Sequence, residues 1–170
     1  MEVRLIENGT VVDHIPPAAL FKIIGIMGLD RDSEHRMTIG TNLESGRMGT
    51  KAIIKIADRY PVGHEIDRIA LFAPEARVNT IRDFRVVEKR RVEVPSRIEG
   101  FVRCANPMCI TNHQAVETAF EVVVSAGADS GTASSGVAPA AISGAKTGEI
   151  SLKCRYCEKI TSGKQMEVKK

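Results

Sequence analysis

CANPMC at residues 104–109 and CRYC at residues 154–157 contain all four cysteines of this 170-residue chain. Each stretch can form a tight turn that points two sulfurs at one spot, and two such turns supply the four thiolates of a tetrahedral metal site. We therefore expect one structural zinc ion (Zn2+) per chain, held by Cys104, Cys109, Cys154 and Cys157. A site closed by four protein ligands leaves no position for a substrate, so this zinc would stabilise the fold without taking part in catalysis.

Disulfide bonds or a redox-active CxxC could also account for the cysteines. Disulfides would pair all four, but we recognise no secretory signal and expect a cytoplasmic location, where thiols stay reduced. A redox-active CxxC would leave the first cysteine pair without a role. No apolar run approaches the roughly 20 residues of a membrane-spanning helix, so we expect no membrane partner.

Changes in composition predict two domains, at residues 1–95 and 96–170. The first contains no cysteine and mixes strand-like with helix-like patterns, and Pro95 marks the connector between them. Within the second, residues 125–148 include seven Ala, five Ser and five Gly. Such a segment buries too little apolar surface to offset its ordering entropy, so we expect a flexible insert between two strands of the zinc domain.

The first domain shows alternating apolar patterns at 3–6, 10–13, 36–43, 48–57 and 79–88, which predict strands. Helical spacing of apolar residues predicts one helix at 18–29 and another near 66–73. The expected fold is α+β: an antiparallel sheet of about five strands with two helices on one face, followed by a small mostly-β zinc domain with four cysteines. We expect the other face of the sheet to be open to a ligand or a partner.

One predicted strand carries a possible chemical signal. Lys51, Ile53 and Lys55 alternate along residues 48–57 and should share one face of the sheet. Two ammonium groups flanking an apolar side chain could hold the phosphates of a nucleotide. The strand alone favours the simpler interpretation, a solvated outer face.

Several segments in order give the chain a resemblance to the regulatory chain of aspartate carbamoyltransferase. They are GTVVDHIP at 9–16, TIGTNL at 38–43, SGRMGTK at 45–51, ALFAP at 70–74, ARVNTI at 76–81 and CRYCE at 154–158. The resemblance covers nearly the whole chain outside residues 125–148. It implies a noncatalytic regulatory subunit of pyrimidine biosynthesis.

The resemblance also implies partners. The N-terminal domain would bind nucleotide effectors, namely CTP and ATP, with UTP as a further candidate, and the zinc domain would contact the catalytic chain. Regulatory chains of this family pair as homodimers, and three dimers link two catalytic trimers.

Site residues follow from the resemblance by position. Asp13 and His14 would contact the base and ribose region, while Lys51, Lys55 and Lys89 would hold phosphate. The full implied nucleotide set is Val3, Ile6, Asp13, His14, Lys51, Lys55, Asn79, Ile81, Phe84, Val86 and Lys89. Asn106 and Glu158 match positions that contact the catalytic chain, whereas Arg4, Phe84 and Met108 replace an acidic residue, a Tyr and an Asn of the family pattern.

Two competing functions fit the residues less well. Basic residues near the C-terminus would suit a zinc ribbon that binds nucleic acid, but aromatic content is 4% and Trp is absent, so few side chains could stack on bases. An enzyme would need a nucleophile with a base and an orienting group, and the four His residues are scattered. We expect no catalytic residues and no nucleic-acid partner.

Overall fold

The computed structural model describes residues 5–125 and 149–169. The chain divides into two compact units, residues 1–93 and 94–170. The α+β prediction is confirmed: the first unit is a five-stranded antiparallel sheet with helices, and the second is β-rich and carries the four cysteines. Among the described residues, no helix is long and apolar enough to cross a membrane.

The first unit contains five strands and two α-helices. The sheet has the strand order β2-β3-β1-β4-β5, with every neighbouring pair antiparallel. A 3-10 turn at Pro17–Ala19 leads into the first helix. The elements are β1 (Gly9–Ile15), α1 (Leu20–Ile26), β2 (Met37–Ser45), β3 (Gly49–Ala57), α2 (Gly63–Phe72), β4 (Arg77–Arg82) and β5 (Arg85–Arg91).

The two faces of this sheet differ in what they bury. Val12 and Ile54 are paired across β1 and β3 and are fully buried on the face covered by the helices, to which Ile23 of α1 and Ile69 of α2 contribute. Side chains alternate along a strand, so Val11 and its neighbours point to the opposite face. We call that side the open face, defined by Val11, Lys55, Asn79 and Lys89.

One predicted strand is wrong, and another is only partly described. The single strand expected at 79–88 is two strands, β4 and β5, joined by a turn in which Asp83 and Phe84 have φ of 48° and 59°. Tight turns between strands are usually recognised in a sequence by Asn-Gly or Asp-Gly. This turn has Asp-Phe instead, so the sequence gives no such signal. Of the strand expected at 3–6, residues 3 and 4 lie outside the described part, while Leu5 and Ile6 are not in a strand.

The second unit is built mainly from short strands. Its sheet has the order β10-β9-β8-β6, and a separate pair joins β11 to β7. Phe120 and Leu152 are fully buried in its core. The elements are β6 (Arg97–Glu99), β7 (Val102–Arg103), α3 (Ile110–His113), β8 (Ala119–Val124), β9 (Ile150–Cys154), β10 (Ile160–Ser162) and β11 (Glu167–Val168), with a 3-10 turn at Gly163–Gln165.

The predicted insert begins and ends at neighbouring strands. β8 pairs with β9, and the backbone N–H of Ser125 donates to the carbonyl oxygen of Glu149 at 3.1 Å. The two ends of the insert are therefore held together at one end of the sheet. The prediction of a flexible segment falls on residues 126–148, which lie outside the described part of the chain.

Candidate metal centre and effector site

The four cysteines converge on one point of the second unit. Cys104 follows β7, Cys109 precedes α3, Cys154 ends β9, and Cys157 lies in the turn towards β10. Their four Sγ atoms all lie within 4.8 Å of one another. The two antiparallel ladders and the short α3 thus bring together two pairs that are far apart in sequence.

The sulfur geometry fits a tetrahedral metal ion. The Sγ atoms of Cys104 and Cys157 are 3.6 Å apart, and those of Cys109 and Cys154 are 3.8 Å apart. A tetrahedral site with Zn–S bonds of about 2.3 Å has sulfur–sulfur edges of about 3.8 Å. A disulfide would need about 2.05 Å, so the four side chains are arranged as metal ligands and not as two bridges.

The proton affinities of the thiols show why this cluster needs a cation. Burial raises the pKa of Cys104 and of Cys154, because the charged thiolates lose contact with water. Burial also acts on Cys157, but hydrogen bonds from the backbone N–H of Lys159 and the side chain of Asn106 outweigh it and lower its pKa to about 7. Four neighbouring thiolates would repel one another, so all four cysteines can lose their protons together only if a bound metal ion compensates the charge.

A second layer of polar groups supports the ligands. The Thr111 hydroxyl donates to Cys109 Sγ at 3.2 Å, and Asn112 Nδ2 donates to the carbonyl oxygens of Cys104 and Asn106 at 3.0 and 2.8 Å. Sequence reasoning missed Thr111 and Asn112. The available signal was their position in the first turn after Cys109, where a short side chain can reach back to a ligand.

A row of five residues crosses the open face of the first unit's sheet. Directly paired positions place Thr38, Lys55, Val11, Asn79 and Lys89 side by side on β2, β3, β1, β4 and β5. Opposed residues of antiparallel strands point to the same face. The structure thus brings Lys55, Asn79 and Lys89, which the resemblance implied, to one line across the sheet.

Apolar side chains form a floor beside this row. Ile6, Val11 and Ile81 make one buried cluster, and Ile53 packs against it. The sequence interpretation missed Val11, although its alternation with Asp13 was a usable signal. The apolar floor could contact the base or ribose of a nucleotide. The lysines of the neighbouring row could contact its phosphates.

Asp13 and Lys51 form an ion pair at one end of the site. Lys51 Nζ lies 2.8 Å from Asp13 Oδ1, and the backbone N–H of His14 donates to the same carboxylate at 2.7 Å. Burial would raise the pKa of Asp13, but the hydrogen bonds from Lys51 and His14 dominate, so the pKa is lowered. The carboxylate is therefore ionised at neutral pH.

Lys55 is not part of a solvated outer face. Only 9% of its surface is exposed, and burial lowers the pKa of its ammonium group. A cation held in such surroundings interacts more strongly with an anionic ligand than a fully hydrated one does. This burial contradicts the interpretation of the strand as a solvated outer face, while phosphate binding by Lys55 stays a prediction.

The remaining residues of the implied site lie at one edge of it. Phe84 is 58% exposed in the β4–β5 turn, where its backbone N–H donates to the carbonyl oxygen of Glu7 at 3.0 Å. Val86 is opposite Ile81 at the start of β5. Val3, like Arg4, lies outside the described residues.

A four-cysteine cluster in one unit and a sheet face that carries lysines in the other are features of a two-domain protein with a metal centre and a candidate ligand face. Comparison with known proteins supports this class. Residues 1–93 match the family model described as the aspartate carbamoyltransferase regulatory chain, allosteric domain, and residues 96–128 match the metal binding domain of the same chain.

Relatives match along most of the chain. Aspartate carbamoyltransferase regulatory chains from Porphyromonas gingivalis and Thermococcus gammatolerans are 43% and 34% identical, over 99% and 98% of this chain and 96% and 95% of theirs. One from Methanoculleus marisnigri is 48% identical over 71% of this chain and 79% of its own length. The chain belongs to the family of aspartate carbamoyltransferase regulatory chains and is a noncatalytic regulatory subunit.

Proposed function

We propose that this regulatory chain binds the nucleotide effectors CTP and ATP, and also UTP, on the open face of its N-terminal domain. In this proposal, residues 1–95 bind the effectors, and residues 96–170 bind zinc and contact the catalytic chain. The observation that carries the proposal is the row containing Lys55, Asn79 and Lys89, which runs beside the apolar floor. Phosphates would contact the lysines while the base and ribose lie against the floor.

Allosteric control requires that a nucleotide bind one quaternary state of the enzyme better than another. A typical coupling free energy is on the order of 1–3 kcal/mol, and for binding it is reciprocal. Phosphates that draw Lys51 and Lys55 of β3 and Lys89 of β5 together would change the positions of these two strands within the sheet. The zinc domain would carry that difference to the catalytic chains.

The metal is proposed to be one structural zinc ion per chain. An all-sulfur tetrahedral donor set suits zinc, and it leaves no open position for a reaction. Reduced cysteines that bind a metal suit a reducing compartment, so we propose a cytoplasmic location.

Thr111 gives a test of how the zinc site is supported. Thr111→Val keeps the size of the side chain but removes the hydroxyl that donates to Cys109 Sγ at 3.2 Å. We expect zinc affinity to fall roughly tenfold, because outer hydrogen bonds typically contribute about 10–100-fold to metal affinity. Competition with a chromophoric chelator measures this, and Thr111→Ser serves as the control that keeps the hydroxyl. Equal affinities of wild type and Thr111→Val would contradict the expectation.

The surface around the metal site is proposed to contact the catalytic chain. Met108, in the first cysteine turn, is 79% exposed, and Tyr156, in the second, is 48% exposed. Asn106 and Glu158, the implied interface positions, lie in the same two turns, and the Glu158 side chain is 77% exposed. Exposed apolar side chains next to polar ones are typical of a protein interface.

Homodimer formation is proposed to use the β2 edge of the sheet. The other edge, β5, carries Arg85, Glu88, Lys89, Arg90 and Arg91, and charged side chains discourage pairing between edges. β2 has a single charged residue, Glu44, and its apolar residue Ile39 is 44% exposed to solvent. An edge without such protection is the better candidate for pairing with a second copy.

An aspartate saturation curve of the matching catalytic trimer tests the proposed function. The trimer is assayed alone and with the zinc-loaded chain, each with and without CTP and ATP, and light scattering measures the mass of the complex. We expect a sigmoidal curve that nucleotides shift only when this chain is present. An unchanged curve with no complex formed would overturn the proposal and direct attention to nucleic-acid binding, which would show a steep salt dependence.

A further inference from the structure

Two arginines extend the open face beyond the residues that the resemblance implied. Arg77 on β4 pairs directly with Asp13 on β1, and Arg91 on β5 pairs directly with Arg77. These positions are two residues along each strand from Val11, Asn79 and Lys89, so their side chains point to the same face. The second row lies next to the first and on the same side as the Asp13–Lys51 ion pair.

The facing arginines are an unusual arrangement for a sheet. Like charges directly opposite one another on neighbouring strands destabilise the pair. Within the described part of the chain, no ion pair of either Arg77 or Arg91 with a carboxylate is present. A bound anion would turn this repulsion into attraction, because two guanidinium groups can share the oxygens of one phosphate.

Charges on this face are strongly unbalanced. The two rows and Lys51 contribute five cations, Lys51, Lys55, Arg77, Lys89 and Arg91, against the one carboxylate of Asp13. The apolar floor of Ile6, Val11 and Ile81 lies towards the other end of the face. A ligand whose base or ribose lies on that floor therefore directs its anionic end towards Arg77 and Arg91. In this orientation Asp13, which pairs with Arg77, lies beside the phosphates and not beside the base and ribose as the resemblance implied.

We infer that Arg77 and Arg91 form the subsite for the terminal phosphates of the nucleotide and make the chain distinguish ligands by the number of their phosphates. This inference rests on the proposed function and adds to it two residues and a rule of specificity. Each further phosphate brings additional negative charge and strong acceptor oxygens into reach of the pair. A monophosphate, which ends near Lys55 and Lys89, gains little from it.

The position of the pair also suits regulation. Arg91 is the last residue of β5, and the backbone N–H of the next residue, Val92, donates to the carbonyl oxygen of Ala76 at 3.3 Å. The first compact unit ends at Glu93. A terminal phosphate shared by Arg77 and Arg91 would therefore hold β4 to β5 at the point where the chain leaves the sheet.

The test compares AMP, ADP and ATP binding to the full zinc-loaded chain by calorimetry at fixed salt. For the wild type we expect affinity to rise with each phosphate. Arg77→Gln and Arg91→Gln should each lower ATP affinity by about tenfold and leave AMP affinity within about twofold, since hydrogen bonds to charged groups account for a change of this size. Arg90→Gln is the matched control, because Arg90 lies opposite Val78 on the other face of the same exposed strand.

The possible results distinguish a failure of the Arg77–Arg91 subsite from a failure of the proposed effector site. Removing one of two facing arginines relieves repulsion, so both variants should melt no lower than wild type. If AMP and ATP weaken equally, or if the variants behave as Arg90→Gln does, Arg77 and Arg91 do not form the terminal-phosphate subsite. If the folded wild type binds none of the three nucleotides, the proposed effector site is wrong and this inference falls with it.

Discussion

Cys109→Ser is expected to remove zinc from the chain and unfold the second unit while leaving the first unit folded. Cys109 is 1% exposed, its Sγ lies 3.8 Å from that of Cys154, and it also accepts the hydroxyl of Thr111. A serine hydroxyl is a poor ligand, because it must lose a far more weakly acidic proton than a thiol does. Apparent zinc-binding free energies of small structural sites reach about 10–16 kcal/mol, and they are folding free energy.

Metal dependence should be strong because this unit has little else to hold it. Among its described residues, the fully buried large side chains are Phe120, Leu152 and Val102, and the other buried apolar side chains are Ile98, Phe101, Ile150 and Met166, together with three of the cysteines. Domains with so small a core usually need a metal or disulfides. The first unit has a separate and larger core, so its melting transition should persist in the variant.

Metal analysis, limited proteolysis and co-elution with the catalytic chain check the Cys109→Ser prediction. We expect no bound zinc, cleavage confined to residues beyond 94, and no complex. Met108→Ser is the control, since its side chain is 79% exposed in the same turn and is not a ligand. Retention of the complex by a metal-free Cys109→Ser chain would show that the metal does not organise this surface.

Patterns that depend on local chemistry could be predicted from the sequence. The cysteine spacing located a site whose sulfurs the structure places within 4.8 Å of one another. The alternation of Lys51, Ile53 and Lys55 assigned them to the face away from the helices, which the pairing of β3 with β1 agrees with. Both features could be predicted because each depends on the spacing of nearby residues, and not on which distant strand lies beside them.

The pairing of β4 with β5 was missed by sequence reasoning. The turn at Asp83 and Phe84 was missed because neither residue is a glycine, although both adopt positive φ. Without that turn, β4 and β5 could not be recognised as partners, and Arg77 and Arg91 could not be placed opposite each other. The burial of Lys55 likewise depends on neighbouring strands and has no local signal.

Lys55 lies between the proposed nucleotide site and the proposed dimer contact. It pairs with Val11 and with Thr38, so it sits between the apolar floor and the β2 edge that we propose as the dimer contact. Burial lowers its pKa, which means that the unfolded chain binds this proton more tightly. At pH values below the folded pKa the protonated ammonium therefore lowers the free energy of unfolding, and this cost disappears as the pH rises above the ordinary lysine pKa. In the proposed complex, a bound phosphate would compensate the same charge at neutral pH.

Lys55→Ala is accordingly expected to abolish the nucleotide response of the holoenzyme and to leave its assembly intact. Lys55→Met is a companion variant that keeps the apolar stem, so that loss of packing in the alanine variant can be recognised. We expect nucleotide affinity to fall by about 10–100-fold in both, from the loss of a charge-assisted hydrogen bond. Without nucleotide, Lys55→Met should unfold at a higher temperature than Lys55→Ala, since it keeps the apolar stem of the side chain.

Aspartate saturation with and without CTP and ATP measures the response, and melting of the regulatory chain with added nucleotide measures binding directly. Arg90→Gln, which removes a cation from the opposite face, should shift with nucleotide as wild type does. Nucleotides that still displace the curve of a Lys55→Met holoenzyme normally would show that the row across the open face is not the effector site. A loss of response together with a loss of assembly in Lys55→Ala alone would instead assign the effect to packing. The two lysine variants thus separate the charge of this residue from its volume, which is the distinction on which the proposed site depends.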